Sequence, residues 1–166
     1  MLDSERLGRG DEGHEPVDLV ALARGATADI APLAMEAGYD LEFAAEGDRM
    51  VVQGDPHALK RAVSNLLGNA VAHAGGGGAI RVSVGPGAVI EVADEGAGVS
   101  EAARERVFEP FHRERWDRDG CGLGLHLVRE IMHAHGGRAE LASGPPGAVF
   151  RLVFPAPRAL PSGSTS

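Results

Sequence analysis

The chain has 166 residues, 16 basic and 24 acidic side chains, a formal net charge of −8, seven histidines and one cysteine. That length suits one compact domain, able to bury a core without disulfides or metal, and a hydrophobic fraction of 43% excludes wholesale disorder. The acidic balance argues against a nucleic-acid binder, the single cysteine excludes a disulfide scaffold or a Cys-based zinc site, and no run of about 18 apolar residues is present to span a membrane.

Residues 1–15 read as a polar leader without the apolar core of a signal peptide, so a cytoplasmic location is expected. Asp18 to Gly38 has helical spacing, with Leu19, Leu22, Ala23, Ala26, Ile30, Leu33 and Ala34 on one stripe. Pro32 falls inside it and is expected to kink or end one turn. Tyr39 to Ala45 alternates, with Tyr39, Leu41 and Phe43 on one face of a strand, and Met50 to Gln53 is a second short strand. Asp55 then reads as an N-cap with Pro56 at the first helical position. Leu59, Ala62, Val63, Leu66, Leu67, Ala70, Val71 and Ala74 follow the i, i+3, i+4, i+7 pattern up to Gly75–Gly78. Strands centred on Ile80, Val82, Val84 and on Ala88, Ile90, Val92 follow. Residues 95–121 are rich in glycine and charge and read as a functional lid. Leu123 to His135 is a helix stopped by Gly136-Gly137, and Arg138 to Ala142 and Ala148 to Phe154 are strands around a Gly-Pro-Pro-Gly turn. The tail, residues 155–166, reads as disordered. Strands in adjacent pairs suggest antiparallel hairpins, and the three helices can cover one face of the sheet. The expected fold is an α/β two-layer sandwich rather than a βαβ Rossmann pattern.

Three features break the local rules of packing. Asn65, Asn69 and His73 are spaced i, i+4, i+8 and form a ridge bordering the apolar stripe of their helix. Asn is costly inside a helix, and its neutral amide oxygen is a hard donor suited to Mg²⁺; a solvated edge is the bland alternative. Asp94-Glu95-Gly96-Ala97-Gly98 closes a strand with an acid on the parity of Ile90 and Val92, so its carboxylate points towards the core layer. Such an acid requires a partner, for which an adenine amino group would serve, and Gly-x-Gly lets backbone approach a flat ring; an exposed Asp in a plain turn is the alternative. Gly120-Cys121-Gly122-Leu123-Gly124-Leu125 leads into a helix, and exposed backbone N–H groups at a helix start cradle phosphates. It is neither a Walker A loop nor a Rossmann fingerprint.

In this order, with Phe108-Glu-Pro-Phe111 between the second and third features, the chain resembles the ATP-binding catalytic domain of sensor histidine kinases over roughly residues 16–154. Asn65–Ala70 resembles the family's N box, Asp94-x-Gly96-x-Gly98 the G1 box, Phe108–Phe111 the F box and Gly122-Leu-Gly124-Leu125 the G2 box. The resemblance implies the Bergerat fold of the GHKL superfamily, shared with gyrase-type topoisomerases and heat-shock chaperone ATPases: a mixed, mostly antiparallel sheet covered on one face by three helices. It implies that Asp94, with Gly96, Gly98 and Val99, takes the adenine, and that Asn69 holds Mg²⁺ against the phosphates of ATP. It further implies that Asn65 contacts phosphate or metal, that His73 lies beside the nucleotide, and that Arg113 stands near the γ-phosphate. Gly122, Leu123, Gly124 and Leu125 cradle the phosphates, and residues 98–120 are the lid, anchored by Phe108 and Phe111. Ala72 departs from the pattern, standing where many members carry Lys or Arg.

Asn65 separates the branches of the superfamily. The hydrolases and the anti-sigma-factor serine kinases resemble one another in having Glu at the first N-box position. Water and Ser must lose a proton during attack, so a general base helps them. A neutral imidazole is already a nucleophile at pH 7 and needs placement and charge neutralisation more. The expected activity is therefore that of a protein histidine kinase, an ATP-dependent phosphotransferase, with Asn65 and Arg113 as its catalytic residues. The alternatives are a GHKL-type ATPase or serine kinase, or a non-catalytic ATP-sensing or docking module. The phosphoacceptor is expected on a dimerisation domain preceding this segment in a longer kinase, since His14-Glu15-Pro16 makes a poor acceptor helix. The expected partners are that domain and a response regulator, with the isolated domain monomeric and inactive in autophosphorylation. His57, His126, His133, His135, Trp116 and Cys121 take structural or surface readings.

Overall fold

The computed structural model describes residues 14–73, 78–96, 107–109, 124–143 and 147–155, excluding the side chains of His73 and Ser143. The leader to residue 13, the lid residues Gly98 and Val99, Phe111, Arg113 and Trp116, then Cys121, Gly122 and Leu123, and the tail from 156 lie outside the described residues. In chain order the elements are β1 (Glu15–Asp18), α1 (Leu19–Glu36), β2 (Asp40–Ala45), β3 (Val51–Gly54), α2 (Pro56–His73), β4 (Ala79–Gly85), β5 (Val89–Asp94), α3 (Gly124–Ala134), β6 (Arg138–Ser143) and β7 (Ala148–Val153).

The main sheet has the order β2-β4-β5-β7-β6. Only β2–β4 is parallel; β4–β5, β5–β7 and β6–β7 are antiparallel. The helices pack against one another in the order α1, α2, α3 and line one face of the sheet, with α1 on β2 and β4, α2 on β5 and α3 on β6. This is the two-layer sandwich of the Bergerat fold. Its core is the apolar stripe of each helix against the inward parity of each strand. Leu59, Ala62, Val63, Leu66 and Leu67 of α2 are at most 1% exposed and share one core with Ile80, Val82, Ile90 and Val92, equally buried. On the outer face the cross-strand pairs Glu42–Arg81 and Glu91–Arg151 are ionic and solvated.

The hairpin expectation holds for β4–β5 and β6–β7 and fails for β2–β3. β3 pairs instead with β1, Val17 against Val52, in a separate two-stranded ribbon. β2 reaches its parallel neighbour β4 through β3 and α2, the helical crossover that parallel pairing requires. Asp18 sets this arrangement: its Oδ1 accepts the Val20 N–H at 3.1 Å, capping α1, and the Met50 N–H at 3.0 Å, holding the start of β3. Glu15, assigned to the leader from sequence, is the first residue of β1. Pro32 does not end the helix, since α1 runs through it to Glu36. The carbonyl that proline leaves without an amide belongs to Ala28, and both residues are exposed, so water can take the place of the missing bond.

Candidate active site

The site is set by the placement of α2. Asp55 caps it, Oδ1 accepting the N–H groups of His57 and Ala58 at 3.0 and 3.3 Å. Behind the cap, His135 at the end of α3 accepts the Asp55 N–H on Nε2 at 3.0 Å, and its Nδ1 donates to the Ile131 carbonyl at 2.7 Å. A neutral ring with its proton on Nδ1 satisfies both bonds. Its pKa lies below the ordinary histidine value, chiefly because burial penalises the charged form, with the positive field of His14 adding to that. His14 stacks on this ring, centroids 4.7 Å apart. Gly54 leaves room for it, since a Cβ there would lie 2.7 Å from Leu59 Cδ1 and 2.9 Å from His135 Cδ2. His135 thus fastens the start of the Asn-bearing helix to α3, a role that reading residues in isolation missed; the signal was a histidine in the last turn of a helix followed by Gly-Gly.

Along α2, Asn65 and Asn69 are half-buried at the border of the stripe formed by Leu66, Leu67 and Ala70. Asn65 Nδ2 donates to the Gly124 carbonyl at 3.3 Å, which joins the N-box helix to the first residue of α3, and among the described residues no donor reaches its amide oxygen. Among the described residues no hydrogen bond holds the Asn69 side chain. Ala72 is exposed near the end of α2, and His73 is its last residue.

Asp94 closes β5 on the inward parity, after Ile90 at 0% and Val92 at 1% exposure, and is itself half-buried. Its Oδ1 accepts the Gly96 N–H at 2.8 Å and the Ala148 N–H at 3.3 Å. Among the described residues no donor reaches Oδ2. Glu95 has a part of its own: Oε1 accepts the Ala79 N–H at 3.2 Å, and Oε2 lies 3.6 Å from Arg81. The G1 turn is therefore tied to the start of β4 on one side and to β7 on the other.

Of the F box, Phe108 meets Phe150 of β7 edge-to-face at 5.9 Å, next to the buried Val107, so this part of the segment read as a lid is packed on the core. Gly124 starts α3 exposed, whereas Leu125 is 5% exposed and packs into the core, which leaves only its backbone to face a ligand. The structure thus brings Asn65 and Gly124 into contact, sets Asp94 and Gly96 at the end of the strand on which α2 packs, and docks Phe108 on the same sheet. Among the described residues no group of three or more His, Cys, Asp or Glu side chains is arranged to hold a metal, and no helix is long and apolar enough to cross a membrane.

Comparisons with known proteins bear on the family and the fold. The family model described as histidine kinase-, DNA gyrase B- and HSP90-like ATPase matches residues 54–158. The sensor-type histidine kinase PrrB of Mycobacterium tuberculosis is 37% identical over 161 residues, covering 92% of this chain and 35% of the relative. The alginate biosynthesis sensor protein KinB of Pseudomonas aeruginosa is 36% identical over 126 residues, covering 74% of this chain and 21% of the relative. The chain thus spans about a third or less of the length of these relatives. Among solved structures, the ATP-binding domain of PrrB from M. tuberculosis superimposes with a TM-score of 0.70 at 32% identity, covering 88% of this chain and 99% of the other. The catalytic domain of the histidine kinase ThkA gives 0.79 at 24% identity, covering 87% and 99%, a likeness of fold. The chain belongs to the histidine kinase-, DNA gyrase B- and HSP90-like ATPases, and within that family it is a catalytic domain of the sensor histidine kinase type.

Proposed function

We propose that this domain binds Mg-ATP between α2, the end of β5 and the start of α3, and donates the γ-phosphoryl group to a histidine on a separate phosphoacceptor domain of the same kinase, for onward transfer to a response regulator. The observation that carries the reading is Asp94: a half-buried carboxylate with one oxygen held by two backbone N–H groups and the other turned to no described donor. A carboxylate so placed is complementary to an exocyclic amine, and Gly96 beside it keeps the wall low enough for a ring. Asn65 and Asn69 supply neutral amide oxygens on the helix that packs over that strand, a donor set suited to Mg²⁺ arriving with the phosphates rather than to a metal held by protein alone. When bound, the metal neutralises phosphate charge. Gly98, Val99, Gly122, Leu123 and Leu125 complete the nucleotide contacts in this proposal, through backbone in the case of Leu125. His73 lies beside the nucleotide, and Arg113 neutralises the γ-phosphate from the lid.

The chemistry asked of the protein is placement. No carboxylate stands at position 65 to take a proton from water or serine, and a neutral histidine acceptor requires none. The isolated domain should bind nucleotide and hydrolyse it slowly, as a monomer on the cytoplasmic side of a longer kinase. Titration calorimetry with ADP and a non-hydrolysable ATP analogue, with and without Mg²⁺, tests the binding. Radiolabel transfer from ATP to an added two-helix histidine domain tests the reaction. No heat of binding refutes the proposal, and brisk turnover by the domain alone would move it to the ATPase branch. Ala72, an exposed small residue where a cation would help hold phosphates, favours one second reading, a module that senses ATP without transferring it. Tight binding with no label transfer would support that module.

A further inference from the structure

We propose that the entry into β7, through Gly147 and the backbone N–H of Ala148, is a positioning element that orients Asp94 and so sets the choice of purine; this rests on Asp94 being the base-reading residue. The β5–β7 ladder ends at Ala93 opposite Val149. One step further, the Ala148 N–H meets the Asp94 side chain at 3.3 Å instead of a backbone carbonyl. With the Gly96 N–H on the same Oδ1 at 2.8 Å, the two donors fix the carboxylate. One acceptor is committed to the protein, and the other is held where a ligand donor must come to it.

That contact needs the two backbones unusually close. Gly147 has φ of +91°, and a Cβ there would overlap the Asp94 carbonyl oxygen, lying 2.7 Å from the Asp94 carbonyl carbon and 2.9 Å from Glu95 Cα. Both the conformation and the space exclude a side chain. On the opposite side the Glu95–Ala79 bond holds the same turn, so Asp94 has no slack in which to turn its second oxygen away. A 6-amino purine then offers Oδ2 a donor on its exocyclic group, whereas a 6-oxo purine presents lone pairs there and carries its nearest donor, N1–H, one ring position away, so a fixed carboxylate discriminates where a mobile one would adjust.

The test compares ADP with inosine diphosphate, which differ at that position, by calorimetry on the parent domain and on Ala148→Pro, Gly147→Ala and Asp94→Asn, with the melting temperature measured alongside. Ala148→Pro removes the N–H donor at the first residue of a strand, where proline is tolerated, and it decides the matter should Gly147→Ala fail to fold. The parent is expected to prefer ADP by on the order of tenfold or more. Ala148→Pro and Gly147→Ala should each lower that preference by roughly threefold or more, with no further loss when combined with Asp94→Asn. Lower melting temperatures with an unchanged ADP preference, or losses that add to that of Asp94→Asn, overturn the positioning role alone. A parent that binds both nucleotides equally overturns the reading of Asp94, and the positioning role with it.

Discussion

Replacing Asp94 by Asn is the most direct perturbation of the site, because the structure fixes what the new amide can do. An asparagine has one oxygen and one NH₂ to distribute over the two carboxylate positions. The Oδ1 position already receives two N–H groups, from Gly96 at 2.8 Å and Ala148 at 3.3 Å. The amide oxygen must occupy it, since the flipped arrangement sets NH₂ against both donors. The NH₂ group then stands at the Oδ2 position, facing the amino group of the base donor to donor. The variant loses a charged hydrogen bond, worth about 1.5–3 kcal/mol, which converts to roughly ten- to 150-fold in dissociation constant. Folding should barely change, because both internal hydrogen bonds survive. Calorimetric titration of ADP into parent and variant measures the affinity, and thermal melts establish that the variant is folded. Equal binding curves for two folded proteins would refute the adenine assignment. A large drop in melting temperature would instead show that the carboxylate holds the sheet end together rather than awaiting a ligand.

Asn69→Ala should weaken Mg-ADP binding by about tenfold, the scale on which changes around a metal are felt, and metal-free ADP far less; equal losses remove the metal role. His135→Leu, with no partner left for the Asp55 N–H, should cost about 1–3 kcal/mol in urea unfolding at pH 7.5. The same residue predicts a pH dependence. Its folded-state pKa lies below the 6.5 of an unperturbed histidine, so the unfolded chain binds more protons in that interval. Its contribution is complete above pH 6.5 and is lost as pH falls through the interval down to the folded value. The parent should therefore lose stability below pH 6.5 more steeply than His135→Leu does, and parallel curves would sink the assignment. Leu66→Ala, at a position 1% exposed between the helices and the sheet, should cost about 2–5 kcal/mol while nucleotide affinity in the still-folded fraction stays near parental; a cost under 1 kcal/mol would show that this part of the core is not tightly packed.

What could be read from residue order was whatever depends on local chemistry. The periods of α2, β4 and β5 follow from which side chains avoid water, and the inward parity of Asp94 follows from its spacing to Ile90 and Val92. The four boxes are short contiguous strings, so they too are legible in the residue order alone. Strand partnership was not. A four-residue apolar run such as Val51–Gly54 has the same signature whether it pairs with β2 or with β1, and the choice is made by Asp18, 32 positions from the Met50 N–H it holds. The run of α1 through Pro32 was likewise settled by where the vacant carbonyl faces. His135 showed no role in the sequence because its partners, Asp55 and Gly54, lie about 80 residues away. The same holds for Gly147, which reads as one more turn glycine until the Asp94 carbonyl is found against its Cα. Residue order carried the family resemblance and singled out the residues proposed to bear the chemistry. Only the packed sheet decided which backbone donors hold those residues still, because hydrogen bonds between distant segments leave no period in a sequence.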